Sequence, residues 1–194
     1  MSICGKGGTA INKTSILGIV GSVRKDSFNK ALMQVALEVQ PPDSSLEVFD
    51  LSGIPIFNDD SSASPPQVVV NFKKKIREAD AILFVSPEYN YSISGVLKNA
   101  IDWASRPPGD NAWSGKPCAI MGASTGMMGT ARAQYHLRQV CVYTNMHPIN
   151  KPEVFVSRVN EKMRDGKLID EKTRTNVAEM LKALVAWTKK LAAD

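Results

Sequence analysis

Two stretches of this chain, Ala81 to Val85 and Cys118 to Met121, are apolar at every position. A strand covered on both faces has such an uninterrupted run, whereas a strand with one face in water alternates apolar and polar residues. Each run is followed by a longer segment whose apolar residues recur every three or four positions, as in an amphipathic helix. Buried strands that alternate with helices predict a parallel, doubly wound α/β sheet.

The other predicted elements continue this alternation along the chain. Strands are also expected near residues 16–20, 46–51 and 154–156, and helices near 28–39, 68–79, 93–104, 131–142 and 177–191. We therefore predict a single domain, residues 14–194, with a five-stranded parallel sheet and helices on both faces. Residues 1–13, which are rich in glycine and lysine, are predicted to form a flexible leader.

Composition excludes several classes of protein. Hydrophobic residues make up 43% of the 194 positions, and no apolar run reaches the ~18 residues that a membrane span needs. The first residues lack the apolar segment of a secretory signal, so we expect a cytoplasmic protein. The net charge of +5 is spread thinly, and no aromatic residues lie between the basic ones, which argues against a nucleic-acid partner.

Neither the cysteines nor the histidines have the spacing of a metal site. Cys4, Cys118 and Cys141 are far apart in the sequence and form no CxxC pair, so neither a disulfide framework nor a zinc site is indicated. His136 and His147 have no metal-ligand spacing and no serine or cysteine partner. We expect no metal ion and no catalytic side chain of the protein's own.

The segment Gly21 to Asn29, GSVRKDSFN, joins a predicted strand to a predicted helix. The first N–H groups of a helix have no intrahelical partner, and the helix dipole favours an anion there. Ser22, Ser27 and Asn29 add polar groups, and Arg24 adds a planar cation that suits a phosphate. Because the segment lacks both GxxxxGK[ST] and GxGxxG, a single phosphate ester fits better than a triphosphate or a dinucleotide. Helix capping is the alternative role of the two serines.

Two further loops follow predicted buried strands at their carboxyl ends, where open α/β sheets bind ligands. Residues 86–94, SPEYNYSIS, offer two tyrosines, an amide and a carboxylate, although the tyrosines alternatively serve only for packing. Residues 122–129, GASTGMMG, have little side-chain bulk before the two methionines, so their backbone can approach a flat ligand. With the phosphate-binding segment, these loops suit a mononucleotide with a planar ring system.

Four segments resemble the NADPH-dependent FMN reductase family in their order and spacing: GSVRKDSFN, SPEYNYSISGVLKNAIDW, ARAQYHLRQV and NKPE. The resemblance extends over roughly residues 14–190, and its nearest branch is the soluble quinone and chromate reductases of bacteria and plants. It implies a flavodoxin-like fold, non-covalently bound FMN, NAD(P)H as co-substrate, and assembly into homodimers or homotetramers.

The same resemblance implies which residues form the FMN site. It assigns the FMN phosphate to Ser22, Arg24, Ser27 and Asn29, with Phe28 packed beside it. It assigns the isoalloxazine ring and ribityl chain to Pro87, Glu88, Tyr89, Asn90 and Tyr91, with Ser124, Thr125 and Gly126 on the other side. From the residues themselves, Glu88 is expected to have a structural hydrogen-bonding role.

Two further positions bear on substrates and on assembly. Met127 and Met128 occupy positions where relatives often have smaller or β-branched residues. The resemblance therefore does not determine the shape of the substrate pocket. Because relatives are oligomers, an interface at Arg132 and Tyr135 is expected, with Glu153 as an acidic partner of Arg132.

The implied reaction passes hydride from NAD(P)H through FMN to quinones in a ping-pong mechanism. Chromate, azo and nitro compounds and free flavin are further implied acceptors. The alternative is a non-catalytic electron carrier of the flavodoxin type or an FMN-binding regulatory module. Flavodoxins tend to be strongly acidic and to lack an arginine in the phosphate loop, whereas this chain is basic and contains Arg24, which favours the enzyme.

Overall fold

The computed structural model describes residues 13–193 and shows the alternation that the apolar runs predict. The strands are β1 (Thr14–Val20), β2 (Ser44–Phe49), β3 (Ala81–Val85), β4 (Pro117–Ala123), β5 (His147–Pro148), β6 (Val154–Val156), β7 (Met163–Arg164) and β8 (Lys167–Leu168). The α-helices are α1 (Phe28–Val39), α2 (Gln67–Glu78), α3 (Gly95–Ala104), α4 (Ala131–Tyr143) and α5 (Glu171–Leu191), and single 3₁₀ segments span Asp59–Ser61 and Val159–Lys162.

The main sheet is parallel, with strand order β2-β1-β3-β4-β5, and β6 also pairs with β4. Two short strands therefore share the fifth position: β5 pairs with Pro117 and Cys118, and β6 pairs with residues 121–123. Pro148 and Pro152 lie at and after β5, and a proline nitrogen cannot donate to a ladder, which accounts for the break. The predicted five-stranded parallel sheet is confirmed, with its last strand divided.

Helices cover both faces of this sheet, as predicted. Successive side chains of β3 point to opposite faces: Ala81, Leu83 and Val85 pack with α1 and α5, whereas Ile82 and Phe84 pack with α2, α3 and α4. Every residue of β3 is buried. The uninterrupted apolar run at 81–85 thus reports a strand that is covered on both sides.

Small residues let β1, β3 and β4 end side by side at one edge. A Cβ atom on Gly122 would lie 2.2 Å from the Ser86 carbonyl oxygen and 2.4 Å from the Thr130 Oγ1. A Cβ atom on Gly21 would lie 2.8 Å from the Ser94 Oγ. The loops that leave these strands are therefore held close together, and the site described below lies among them.

Two features of the C-terminal part differ from the prediction. Residues 163–168 form an antiparallel hairpin, β7 and β8, although the Asp165-Gly166 dipeptide by itself predicts no more than a turn. Helix α5 begins at Glu171, before the apolar stripe at 177–191, because Asp170 caps the N–H of Thr173 at 2.8 Å. Because the first turn of α5 is polar, the pattern of apolar residues does not show where this helix begins.

Residues 1–12 of the predicted leader lie outside the described residues, so the leader and its boundary with the domain stay predictions. Among the helices of residues 13–193, none combines the length and the apolar character that crossing a membrane requires.

Candidate functional site

A cleft of about 220 Å³ opens where β1, β3 and β4 end. Apart from Asn90, Tyr91 and Gly126, all the residues predicted to bind the cofactor line this cleft: Ser22, Arg24, Ser27, Phe28, Asn29, Pro87, Glu88, Tyr89, Ser124 and Thr125. Ala123, which the sequence did not single out, completes the lining. Three loops that are far apart in the chain are thus brought together by the common edge of a parallel sheet.

Ser27 caps helix α1 at the phosphate-binding segment. Its Oγ accepts hydrogen bonds from the N–H groups of Asn29 at 3.2 Å and Lys30 at 3.4 Å, which confirms the capping role. The hydroxyl hydrogen of Ser27 is still able to donate to a ligand. The N–H of Phe28, the first of the helix, has no intrachain acceptor within residues 13–193. A free donor and a hydroxyl therefore meet at the positive end of the helix dipole.

Asn29 connects this helix to the end of β4. Its Nδ2 donates to the Ala123 carbonyl at 3.0 Å, and its Oδ1 accepts from the Ala123 N–H at 2.9 Å. The residue is buried and 94 positions away from Ala123 in sequence. Both ends of the amide are thus engaged with the backbone. Asn29 thus joins two walls of the cleft, and because its Nδ2 has a second N–H, the predicted phosphate contact stays a prediction.

Arg24 lies exposed at the rim of the cleft. Its Nη2 donates to the Asp26 carbonyl, and its Cζ lies 5.3 Å from the ring centroid of Phe28. These contacts leave most of the donors of the guanidinium free, since it has five N–H groups in a planar fork. No acidic residue lies in the first turn of α1, so the local charge at this end of the cleft favours an anion.

Glu88 holds the second loop against the start of α4. Its carboxylate accepts hydrogen bonds from the N–H groups of Arg132 and Ala133, both at 3.1 Å, and from the Arg132 Nε at 2.7 Å. The Glu88 side chain is 6% exposed. The structural role expected for this carboxylate is confirmed: it caps α4 and pairs with its first cationic side chain.

Residues 89–92, which we call the tyrosine hairpin, turn sharply beyond Glu88. The N–H of Tyr89 donates to the Ser92 carbonyl at 3.0 Å, and the N–H of Ser92 donates back at 2.9 Å. Asn90 and Tyr91 between them have φ angles of 50° and 66°, the left-handed pattern of a type I′ turn. Asparagine tolerates this region, whereas a bulky aromatic residue rarely adopts it, so Tyr91 requires support from its surroundings.

Helix α4 supplies that support. The Arg132 Cζ lies 3.8 Å from the centre of the Tyr91 ring, a cation–π contact, and the His136 Nδ1 lies 3.1 Å from the Ser92 Oγ. Tyr89 lines the cleft and is 56% exposed, whereas Tyr91 packs outside the cleft under Arg132. The sequence did not indicate that Arg132 partners Glu88 and Tyr91, because these residues are more than 40 positions apart.

The third loop closes the cleft through its backbone. The N–H of Ser124 donates to the Val156 carbonyl at 2.9 Å, and the Ser124 carbonyl accepts from the N–H of Val159 at 3.1 Å. Gly126 lies beyond the cleft lining, where its carbonyl accepts from the N–H of Arg158 at 3.2 Å. Met127 and Met128 follow, 75% and 58% exposed. The loop is therefore anchored at its start and presents apolar side chains to solvent farther along.

Residues 13–193 contain no group of three or more histidine, cysteine, aspartate or glutamate side chains placed to hold a metal ion. What the cleft offers instead is a helix N-terminus, hydroxyl groups and an arginine at one end, and a proline, a tyrosine and a narrow backbone wall at the other. Such an arrangement suits a phosphate joined to a flat, largely apolar ring system.

Comparison with known proteins gives a consistent set of similarities. A model of the NADPH-dependent FMN reductase family matches residues 14–161. An NAD(P)H-dependent FMN reductase of Pseudomonas aeruginosa is 52% identical over 178 residues, covering 91% of this chain and 96% of that protein. An NAD(P)H:quinone oxidoreductase of Solanum tuberosum is 45% identical over 184 residues, covering 91% and 93%. The solved structure of FerB, a flavoenzyme NAD(P)H:(acceptor) oxidoreductase of Paracoccus denitrificans, has a TM-score of 0.83 at 36% identity and covers 91% of this chain and 98% of that chain.

Proposed function

Because the chain belongs to the NADPH-dependent FMN reductase family, we propose that the cleft at the ends of β1, β3 and β4 is its FMN site and that its acceptors are quinones. Family membership confirms the resemblance read from the four sequence segments. It makes the chain an NAD(P)H-dependent oxidoreductase with FMN as cofactor, which argues against a non-catalytic electron carrier.

The observation that carries the site proposal is the set of free donors at the start of α1. The N–H of Phe28, the hydroxyls of Ser22 and Ser27 and the guanidinium of Arg24 face one end of a cleft that has no acidic residue in the first turn of the helix. These groups fit the phosphate of FMN, and we assign them to it. Asn29 then acts by holding this end of the cleft to β4.

The opposite end of the cleft fits the ring system. Pro87 and Tyr89 form one side, and Ser124 and Thr125 form the other, through a loop with few bulky groups. Glu88 positions the first side by capping α4. We assign Asn90, Tyr91 and Gly126 to the surroundings of the ring rather than to its direct contacts, since they lie outside the lining of the cleft.

FMN, when bound, supplies hydride transfer between NAD(P)H and an acceptor, and the protein supplies orientation and exclusion of water. We propose that the two substrates use the same open face in turn, so that the oxidised nicotinamide leaves before the acceptor binds. This order predicts parallel lines in initial-rate plots at varied concentrations of both substrates. Intersecting lines contradict it.

The names of the compared relatives support quinones as acceptors, since the Solanum tuberosum protein is named a quinone oxidoreductase. The exposed Met127 and Met128 lie in the third loop beyond its anchored start, and methionine adapts to apolar partners of different shapes. We therefore propose that the protein also accepts azo and nitro compounds and free flavin. Chromate, which the family resemblance implies, is proposed as a further acceptor.

Self-association is proposed from the surface of α3 and α4. A groove of about 550 Å³ runs between these helices, and α4 exposes Tyr135, Val142 and Tyr143, the last two by 81% and 76%. We propose a homodimer or homotetramer that covers this face. Within the chain Arg132 pairs with Glu88, and Glu153 pairs with Lys151. We propose that Arg132, Tyr135 and Glu153 also take part in the subunit interface, where Glu153 of one subunit meets Arg132 of another. Light scattering on the purified protein measures its mass in solution, and the mass of a monomer contradicts the proposal.

We also propose a cytoplasmic location.

The test of the activity is direct. The purified protein, loaded with FMN, is expected to be yellow and to oxidise NADPH or NADH rapidly when a benzoquinone is present. Rates with both nicotinamides against quinones, azo dyes, nitroaromatics and chromate then establish the order of preference. A protein that neither binds added FMN nor oxidises the nicotinamides overturns the proposal.

A further inference from the structure

Two buried thiols of this chain touch each other away from the cleft. Cys118 near the start of β4 and Cys141 in the last turn of α4 are both 0% exposed, and their sulfur atoms are 3.9 Å apart. Neither residue lines the cleft, and the flavin chemistry has no use for them. We propose that Cys118 and Cys141 form a site of reversible oxidation, at which a hydroperoxide converts the two thiols to an intramolecular disulfide.

The geometry places the sulfur atoms in direct contact, and backbone hydrogen bonds hold both residues in place while the end of α4 is closed. The Cys118 carbonyl accepts from the N–H of Ile149, and the Cys141 carbonyl accepts from the N–H of Met146, both at 2.9 Å. A disulfide bond has a sulfur–sulfur distance of about 2.05 Å, so the sulfur atoms must approach by about 1.9 Å from 3.9 Å. Rotation of both cysteine side chains closes this distance, because β4 and α4 already pack against each other.

The two thiols differ in the ease with which they ionise. The hydrogen bond from the Cys118 thiol and the nearby Arg138 guanidinium lower the pKa of Cys141, although burial opposes this. Burial raises the pKa of Cys118 well above its ordinary value. A thiolate is the nucleophile toward peroxides, and Cys141 also lies near the exposed end of α4, whereas Cys118 lies in a central strand. We therefore assign Cys141 as the sulfur that reacts first, with Cys118 as the resolving thiol.

The reaction balances in two steps. The Cys141 sulfur attacks one oxygen of the hydroperoxide, the O–O bond breaks, and the other oxygen leaves with a proton as an alcohol, or as water from hydrogen peroxide. The Cys118 sulfur then attacks the sulfenic acid on Cys141, the S–S bond forms, and the S–O bond breaks to release water. The sulfur pair loses two electrons, and the hydroperoxide gains them.

Access to the buried pair requires only the end of a helix to open. Cys141 lies two residues before the end of α4, and its neighbours Val142 and Tyr143 are 81% and 76% exposed. Helix ends fray more readily than a central strand does. We therefore expect oxidation to be slow compared with that of an exposed thiol, and to occur without global unfolding.

The bond would connect residues 23 positions apart and restrict the unfolded chain, so it should raise the midpoint of thermal unfolding by several degrees. The cleft lies at the other end of β4, beyond Ala123, so FMN affinity is expected to stay within twofold. These consequences do not depend on the flavin proposal, whose failure leaves the thiol chemistry standing.

The test uses full-length protein with Cys4→Ser, which leaves the two buried cysteines as the only thiols. The folded protein is treated with hydrogen peroxide, quenched with catalase, and alkylated in denaturant. We expect a mass lower by two hydrogen atoms, no alkylated thiol, a higher unfolding midpoint, and reversal by dithiothreitol. Two alkylated thiols, sulfinic products without a disulfide, or a disulfide that forms only in denaturant overturn the proposal.

Matched variants in the same background separate the two roles. With Cys118→Ser, dimedone is expected to trap a sulfenic acid on Cys141, because no resolving thiol is present. With Cys141→Ser, Cys118 is expected to stay reduced. A sulfenic acid on Cys118 in that variant contradicts the assigned order. If serine disturbs the core, alanine replaces it at either position, and the measurement on the Cys4→Ser protein needs no core substitution at all.

Discussion

The two ends of the cleft are built in different ways. We call the end of the cleft that we assign to the phosphate the phosphate end, and the end that we assign to the ring system the ring end. The phosphate end consists of one continuous segment, residues 21–29, whose donors come from the start of α1 and from neighbouring side chains. The ring end is assembled from parts that are distant in sequence: Glu88 reaches α4 across 44 positions, and the third loop is anchored to residues 156–159. A phosphate site is thus a local property of the chain, whereas the ring site depends on tertiary packing.

The two ends also differ in backbone conformation. The turn into α1 ends in an ordinary helix cap at Ser27, with φ of −80°. The tyrosine hairpin at the ring end holds Tyr91 in the left-handed region, with φ of 66°. A conformation that an aromatic residue seldom adopts persists only when its surroundings enforce it. Substitutions at the ring end are therefore expected to act through the scaffold. At the phosphate end Arg24 is expected to act through the ligand, and Asn29, which joins this end to β4, through both.

The largest expected effect comes from Asn29→Ala, which separates the two ends. It leaves the buried N–H and carbonyl of Ala123 without partners, and we expect a loss of about 3 kcal/mol in the free energy of unfolding together with weaker FMN binding. Denaturant titration and flavin fluorescence measure the two quantities.

Asn99→Ala is the matched control. Asn99 also bonds to backbone groups, at Pro55 and Phe57, and none of these three residues lines the cleft. It should lower stability without changing FMN affinity. Equal losses of FMN affinity in the two variants would mean that the bonds between Asn29 and Ala123 do not act specifically on the FMN site.

The next effect isolates the phosphate end. Arg24→Ala is expected to weaken FMN binding by about 1.5–3 kcal/mol, the range of a charge-assisted hydrogen bond, while stability hardly changes because the side chain is exposed. Lys25→Ala removes an adjacent exposed cation that does not line the cleft, and it should leave the dissociation constant nearly the same. An unchanged dissociation constant for Arg24→Ala refutes the assignment.

A smaller effect is expected from Glu88→Ala at the ring end. Loss of the cap on α4 should cost about 1–2 kcal/mol of stability and reduce quinone reductase activity, because the second loop loses its anchor. Asp170→Ala removes a comparable carboxylate cap, from α5, and should lower stability with no change in the activity of the folded protein. If both variants keep full activity, Glu88 stabilises the fold without positioning the ring.

The smallest effect should come from the contact between Arg132 and Tyr91. A cation–π contact at a partly exposed site contributes about 0.5–1 kcal/mol. A double-mutant cycle with Arg132→Met and Tyr91→Leu, measured on the free energy of unfolding, should give a coupling energy in that range. Arg138→Met, on the same helix but bonded to the Ile149 carbonyl, should show no coupling with Tyr91→Leu.

The sequence predicted most of the fold and the lining of the cleft. Uninterrupted apolar runs located β3 and β4, and the loops after them contain five of the eleven residues that line the cleft. Those signals are local, since they depend on periodicity and on turn residues next to an apolar strand. The two-residue strand β5 and the hairpin of β7 and β8 were missed, because such short elements have no periodicity of their own.

The connections between the loops could not be predicted in the same way. Asn29 was expected to hold a phosphate, and its bond to Ala123 depends on a strand 94 positions later. Arg132 was expected at a subunit interface, and its contacts with Glu88 and Tyr91 arise only when α4 packs beside the second loop. The residue types indicated that these side chains have functional roles. Which residues they contact depends on the tertiary packing and could not be predicted from the sequence.

The central claim is that the start of α1 holds the phosphate of FMN, and comparison of FMN with riboflavin, which lacks the phosphate, tests it most directly. Titration of the apoprotein with each flavin should give a dissociation constant for riboflavin at least a hundredfold higher, about 2.7 kcal/mol in binding free energy. In Arg24→Ala this ratio should fall at least tenfold, with riboflavin affinity unchanged. Equal affinities for the two flavins in the wild-type protein would contradict the account.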